Sequence, residues 1–350
     1  MKRNLGASRR EWQGGGSASS GMYASWERCG RELAQLLAWM ADAVCVTAPR
    51  QIIPQRTSLI TRRCAQRQFL LRPDRKTREA FDYCLAEAAS RYGIQLVAWF
   101  AMSNHYHAVA HDPDGRLPEF LEHFHKMVAK TMNARLGRWE NFWSSEPTCV
   151  THLPTGSDIS EKVVYVLANA VAAHLVDRAG QWPGSSSFDY LDGRETVHAR
   201  PRGAFFSENG RMPAEVKLRM EIPSSALGTE TRASWMRRVC EAIEEREKLA
   251  AEDRRTTGHP LVGRKAVLRM SPFDSPNTST PRRKLQPAIA CKNKEMRLRL
   301  IEMLKGFRKL YEQARALFVG GDRGVEFPAG TYRFRTLGAC CRRPLLESTA

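Results

Sequence analysis

Acidic residues are scarce in this chain. Asp and Glu number 37 against 55 Lys and Arg in 350 residues, a formal net charge of +18. That balance points to a polyanionic partner, because each phosphate neutralised by a cation releases counterions. A generally basic protein, with arginine inflated by its coding composition, is the other reading of the same surplus. Long apolar runs are also missing. No stretch of roughly 18 or more apolar residues occurs, so no membrane-spanning helix and no membrane partner are expected. The apolar segment Leu33 to Val46 contains Asp42 and lies too far from the terminus for a signal peptide. A cytoplasmic, nucleoid-associated protein is therefore expected. The nine cysteines are odd in number and scattered, with no C-x-x-C pair. That spacing argues against a zinc ribbon or thioredoxin-like motif and suits reduced thiols. No internal repeat is found.

What is present divides the chain into three. Residues 1–49 read as a weakly structured tail around the Gly14-Gly15-Gly16-Ser17 run, with a short amphipathic helix near Trp26 to Met40 and a functional start near Met40. Residues 50–193 alternate regularly. Ser58 to Thr61 reads as a strand leading into the basic segment Arg62 to Arg67. Arg75 to Tyr92 carries Phe81, Cys84, Leu85 and Ala88 at helical spacing and is stopped by Gly93. Ile94 to Phe100 and His105 to His111 read as strands joined through Met102-Ser103-Asn104. After the turn signal Asp112-Pro113-Asp114-Gly115, Leu117 to Leu136 has a helical apolar stripe of Phe120, Phe124, Met127, Val128 and Met132. Thr148 to Leu153 is a fourth strand, and Ile159 to Leu175 a third helix opened at Ser157. The order β-α-β-β-α-β predicts an α+β, ferredoxin-like antiparallel sheet with helices on one face. Residues 194–350 read as a basic, mainly helical C-terminal extension of open role. Its helices are Trp235 to Glu252 and Lys294 to Leu317, with a Pro-rich basic loop, Ser271 to Lys284, between them.

Two short patterns carry chemistry. His105 and His107 sit two apart on a strand, so their rings share a face and can present two imidazoles to one ion. H-x-H also arises by chance. Tyr165 and Asn169 are four apart on a helix that is apolar all round and therefore expected to be buried. A buried asparagine left without a partner costs about 1 to 3 kcal/mol, so a hydrogen bond or a metal is expected at its amide. A core tyrosine beside a structural asparagine fits the helix equally. The basic strand end with Arg62, Arg63 and Arg67 can grip backbone phosphates through bidentate contacts, or can be a solvated edge. His123 and His125 are expected as surface or packing residues, and His111 as an end-of-strand residue outside the set.

Taken in order, these blocks resemble the REP-associated tyrosine transposases of the single-tyrosine HUH endonuclease superfamily. The resemblance spans about Arg50 to Tyr190. It rests on Ile60 to Arg63 with Arg67, on Ala98 to His107, on Asn133-Ala134-Arg135 through Phe142-Trp143, on Tyr165 to Asn169, and on Trp182-Pro183 through Ser187. It departs after Asn169, where Ala170-Val171-Ala172-Ala173 replaces the family's Pro-Val-Arg-Ala. The resemblance implies that Tyr165 is the nucleophile and that His105, His107 and Asn169 bind a divalent metal. Mg²⁺ or Mn²⁺ ranks above zinc for this role.

The implied activity is cleavage and strand transfer on single-stranded or hairpin DNA, including REP-like palindromes, through a 5′-phosphotyrosine. The protein would act as a monomer or homodimer. Two alternatives stand beside it. One is a domesticated hairpin-DNA-binding protein without cleavage. The other is a metal hydrolase that uses activated water, with Tyr165 structural.

Overall fold

The computed structural model describes residues 49–203, 205–207, 210–278 and 287–344. The expected N-terminal tail, its helix near Trp26 to Met40, the expected start near Met40 and the basic residues Arg282 to Lys284 lie outside them. Four strands, β1 (Arg56–Arg63), β2 (Gln95–Ala101), β3 (His105–Asp112) and β4 (Cys149–His152), form one sheet in the order β2-β3-β1-β4. Every pairing in it is antiparallel. With α1 (Arg75–Tyr92) and α2 (Leu117–Leu136) as crossovers, this is the expected ferredoxin-like arrangement. Asp74 accepts a hydrogen bond from the Thr77 amide to open α1, and Gly93 and Gly137 close α1 and α2 in left-handed conformations.

The sheet is covered on both faces. The crossover helices α1 and α2 share one face, where Ile60, Trp99, Tyr106 and Ala108 meet Phe81, Leu85, Phe120 and Phe124. The opposite face holds Phe100 and Val109 under α3 (Gly156–Leu167), with Ile159, Val163 and Val166 turned inward. A bulge in β2 between Leu96 and Ala98 lets Leu96 and Trp99 point to the same side although they are three apart.

Both faces are completed from beyond residue 193. After α4 (Asn169–Ala172), a hairpin of β5 (Glu195–Ala199) and β6 (Glu215–Arg219) packs on α1. The short α5 (Ser224–Leu227) leads to α6 (Arg232–Thr257), whose Trp235, Met236, Val239 and Ile243 join the cluster under α3. Trp235 Nε1 donates to the Ser160 hydroxyl at 2.9 Å. Both expected C-terminal helices are present, the second as α8 (Lys294–Val319) after the short α7 (Arg264–Arg269). Phe307 and Tyr311 of α8 build a separate apolar cluster with Phe327 and with Phe334 of α9 (Arg333–Thr336).

Neither sheet edge is bare. Beside β2, Ser185 O accepts from the Ala101 amide at 2.9 Å and Ser187 Oγ from the Trp99 amide at 3.0 Å. Beside β4, the His152 amide donates to Ala288 O at 2.8 Å. Covered edges remove a template for strand addition. The Trp182 to Ser187 segment depends on Gly184, where a Cβ would lie 2.6 Å from Trp182 Nε1 and 2.7 Å from Pro73 Cβ. The described cysteines are all free. No helix among the described residues is long and apolar enough to cross a membrane.

Candidate active site

Alternation along β3 sends His105, His107 and Val109 to the face covered by α3, while Tyr106 and Ala108 point to the other. The two imidazoles stand edge to face with ring centres 4.8 Å apart. Tyr165 descends from α3 onto the same spot, its ring centre 5.4 Å from that of His107 at 71°. Two rings 58 residues apart in sequence thus meet over the middle of the sheet. His107 is 6% exposed, whereas Tyr165 is 46% exposed, so the pocket has a closed floor and an open mouth.

The hydrogen bonds settle which ring nitrogens face outward. Asn104 Nδ2 donates to the Arg67 carbonyl at 3.1 Å, which orients the amide. Its Oδ1 then accepts from Nδ1–H of His105 at 2.7 Å. Nδ1 of His107 lies 2.8 Å from the Thr61 hydroxyl on the paired strand β1. Both Nδ1 atoms are engaged, which leaves the Nε2 atoms of both rings without a partner among the described residues, the pattern in which metal-binding histidines are held. Burial is the main cause that depresses the His105 imidazole to about 4, with the Arg63 guanidinium adding to it. His107 is driven well below its ordinary value by burial, then by His105 and Arg63. Both rings are neutral at neutral pH, as metal ligation requires.

Asn169 opens α4, one turn beyond Tyr165. The helix is interrupted at Ala168, whose amide bonds to Val164 O and Val166 O, and resumes with Ala173 N to Asn169 O. One continuous buried helix was expected here. Instead Tyr165 is exposed and Lys162 and Asn169 are half-buried, because α3 packs its Ile159, Val163, Val166 and Leu167 side inward and leaves this stripe at the surface. The Asn169 amide therefore needs no buried partner, and it lies one turn from Tyr165 on the same half-open stripe.

The basic residues separate. Arg63 is exposed and stands opposite His105 in the strand register, close enough to act on both imidazoles. Arg62 points to the other face, where it donates to Thr148 Oγ1 and its guanidinium lies 5.7 Å from the Trp143 ring centre. Arg67 adopts a left-handed conformation (φ 59°) and its guanidinium donates to the carbonyl and hydroxyl of Thr278. The structure brings Arg63 to the histidines and ties Arg62 and Arg67 into internal contacts. Sequence reading missed Lys162, whose ammonium sits 5.7 Å from the Tyr165 ring centre, and the orienting pair Thr61 and Asn104. Helical spacing marks Lys162, and strand pairing marks Thr61 once the register is known.

His111, His123 and His125 are committed elsewhere. His111 Nδ1 lies 3.0 Å from Thr57 Oγ1 and its Nε2 3.3 Å from Gln55 Oε1. His123 pairs with Glu87 at 2.6 Å, and His125 bonds the Tyr106 hydroxyl at 2.6 Å on the opposite face of the sheet.

No family model and no curated protein matches the sequence. Solved structures that the chain is similar to include a REP-associated tyrosine transposase bound to a REP hairpin, which is 18% identical. It covers 42% of this chain and 86% of its own at a TM-score of 0.37. A Deinococcus radiodurans R1 protein solved as a candidate transposase, also 18% identical, covers 30% of this chain and 84% of its own at a TM-score of 0.24. At these values the likeness adds nothing to the chemistry, which rests on the geometry of the pocket.

Proposed function

We propose that this protein is a metal-dependent DNA endonuclease and strand transferase that cuts single-stranded or hairpin DNA through Tyr165. The convergence of His105, His107 and Tyr165 on one face of the sheet carries the reading. The donor set fits a divalent ion, since among the described residues both Nε2 atoms are free of partners while both Nδ1 atoms are held. His105 and His107 would hold Mg²⁺ or Mn²⁺, with Asn169 as third donor, and the ion would offset charge on the scissile phosphate.

The protein's own groups do the rest. The exposed Tyr165 phenol is open to a strand arriving from solvent. Its oxygen forms a bond to phosphorus, the P–O3′ bond breaks, the phenolic proton leaves to solvent and the departing 3′ oxygen takes one up. The product is a 5′-phosphotyrosine and a free 3′-hydroxyl. The phosphodiester energy is kept, so a second 3′-hydroxyl can displace Tyr165 without a nucleotide cofactor. Lys162 beside the phenol and Arg63 beside His105 place positive charge where the phosphate enters. The open mouth of the pocket accepts an unpaired strand.

A labelled hairpin oligonucleotide incubated with Mn²⁺ tests the reading. A denaturation-resistant protein–DNA adduct that is lost in Tyr165→Phe is expected. Cleavage that persists in Tyr165→Phe would establish water as the nucleophile, and tight binding with no cleavage would leave only a binding module.

A further inference from the structure

We propose that His174, Asp253 and His259 form a second metal site, separate from the His105–His107 pair, that takes a zinc ion and staples the end of the tyrosine-bearing segment to α6. One donor atom from each lies within 4.8 Å of the other two. His174 Nε2 is 3.1 Å from Asp253 Oδ2, and the His174 and His259 rings stack at 5.5 Å and 15°. The donors come from two places: His174 from the turn after α4, and Asp253 and His259 from the C-terminal end of α6, on either side of its Gly258 cap. No local periodicity would put them together.

The hydrogen bonding around the trio favours ligation. The Thr257 hydroxyl donates to the Asp253 carbonyl at 2.6 Å, so its single proton is used there. It must then accept from Nδ1–H of His259, 2.7 Å away. His259 is thereby held in the tautomer whose Nε2 carries the lone pair. On His174 the buried Nδ1 has no partner among the described residues, so the ring is held by Asp253 at Nε2 and by its backbone turn and not by a bond at Nδ1. Its backbone has φ 52°, which side-chain-bearing residues rarely adopt. That turn is fixed by His174 N to Val171 O at 2.9 Å and Val262 N to His174 O at 3.0 Å. Strain held in place by surrounding bonds is common where a side chain must be aimed.

The chemistry selects the ion. Two borderline imidazoles beside one carboxylate form a donor set that suits zinc, and the imidazoles serve magnesium poorly. Asp253 is half-exposed and His259 exposed, so water can complete the coordination. The site also abuts the C-terminal end of α6, where the helix dipole favours a cation. A plain His174–Asp253 ion pair explains the 3.1 Å contact. It does not explain the stacked third ring, whose tautomer is set by Thr257.

The test uses full-length protein dialysed against EDTA, with Co²⁺ and Zn²⁺ as probes and no DNA. In a His105→Ala/His107→Ala variant, one equivalent of Co²⁺ should give a visible ligand-field band and Zn²⁺ should raise Tm. Adding His259→Ala or Asp253→Asn should abolish both effects. His259 is exposed, so its substitution leaves the fold intact. Should the double variant not fold, bound metal is counted in the wild type and in His259→Ala, where one equivalent should be lost. No Co²⁺ band and no Tm rise in a folded double variant, or an unchanged count in His259→Ala, would overturn the proposal. Because no cleavage is read, failure here and failure of the Tyr165 mechanism are distinguishable.

Discussion

The Thr61 hydroxyl and His107 Nδ1 lie 2.8 Å apart across the paired strands β1 and β3. When Nε2 serves as a ligand, Nδ1 keeps the proton and donates a hydrogen bond to the Thr61 hydroxyl oxygen. Thr61→Val keeps the shape and removes the acceptor. Mn²⁺ affinity, read as the metal dependence of DNA cleavage, should fall about 10- to 100-fold with Tm nearly unchanged. An unaltered metal dependence would mean that the Thr61 contact does not orient a ligand.

Adjacent arginines should behave in opposite ways. Arg63→Ala should weaken DNA binding and lower the salt dependence of log K by about one phosphate contact, leaving stability alone. Arg62→Ala should lower Tm, since it removes the Thr148 hydrogen bond and the contact with Trp143, and leave the salt slope as it was. Binding isotherms at several salt concentrations, with thermal melts of each variant, check both.

The His105 imidazole should make stability pH-dependent in the metal-free protein. Burial lowers it from 6.5 to about 4. Above 6.5 neither state holds the proton. As pH falls from about 6.5 to about 4 the unfolded chain binds a proton that the folded protein refuses, so stability is lost across that window. Asp82, raised by burial from 3.8 to about 6, acts with the opposite sign. The comparison is therefore with His105→Gln. Between pH 6.5 and 4 the wild type should lose stability more steeply than the variant in urea unfolding, and parallel slopes would contradict the assignment.

Trp235 is fully buried against α3 and bonded to Ser160 at 2.9 Å. Trp235→Ala should cost about 3 to 5 kcal/mol, because it opens a cavity in the cluster that supports the tyrosine helix. Denaturant unfolding measures it. A cost under about 1 kcal/mol would show that α6 is a dispensable cover.

Much of this arrangement is legible in the residues themselves. Gly93 and Gly137 end periodic apolar stripes, so α1 and α2 fall where the sequence places them. Strand alternation sets His105 and His107 on one face. The same alternation separates Arg62 from Arg63, which a reading by charge alone joins. The break at Ala168 carries no Gly or Pro and is set by packing. The β5–β6 hairpin has short strands and a long connection, leaving no turn signature. His174, Asp253 and His259 meet only through the docking of α6, and no spacing along the chain announces it.

Peptide mapping after cleavage tests the central assignment most directly. The protein is reacted with a hairpin oligonucleotide and Mn²⁺, denatured, digested with nuclease and protease, and analysed by mass spectrometry. A nucleotide remnant should be found on the peptide that contains Tyr165, and on no other tyrosine. Cleaved DNA with no modified peptide, or a remnant on a different residue, would contradict it.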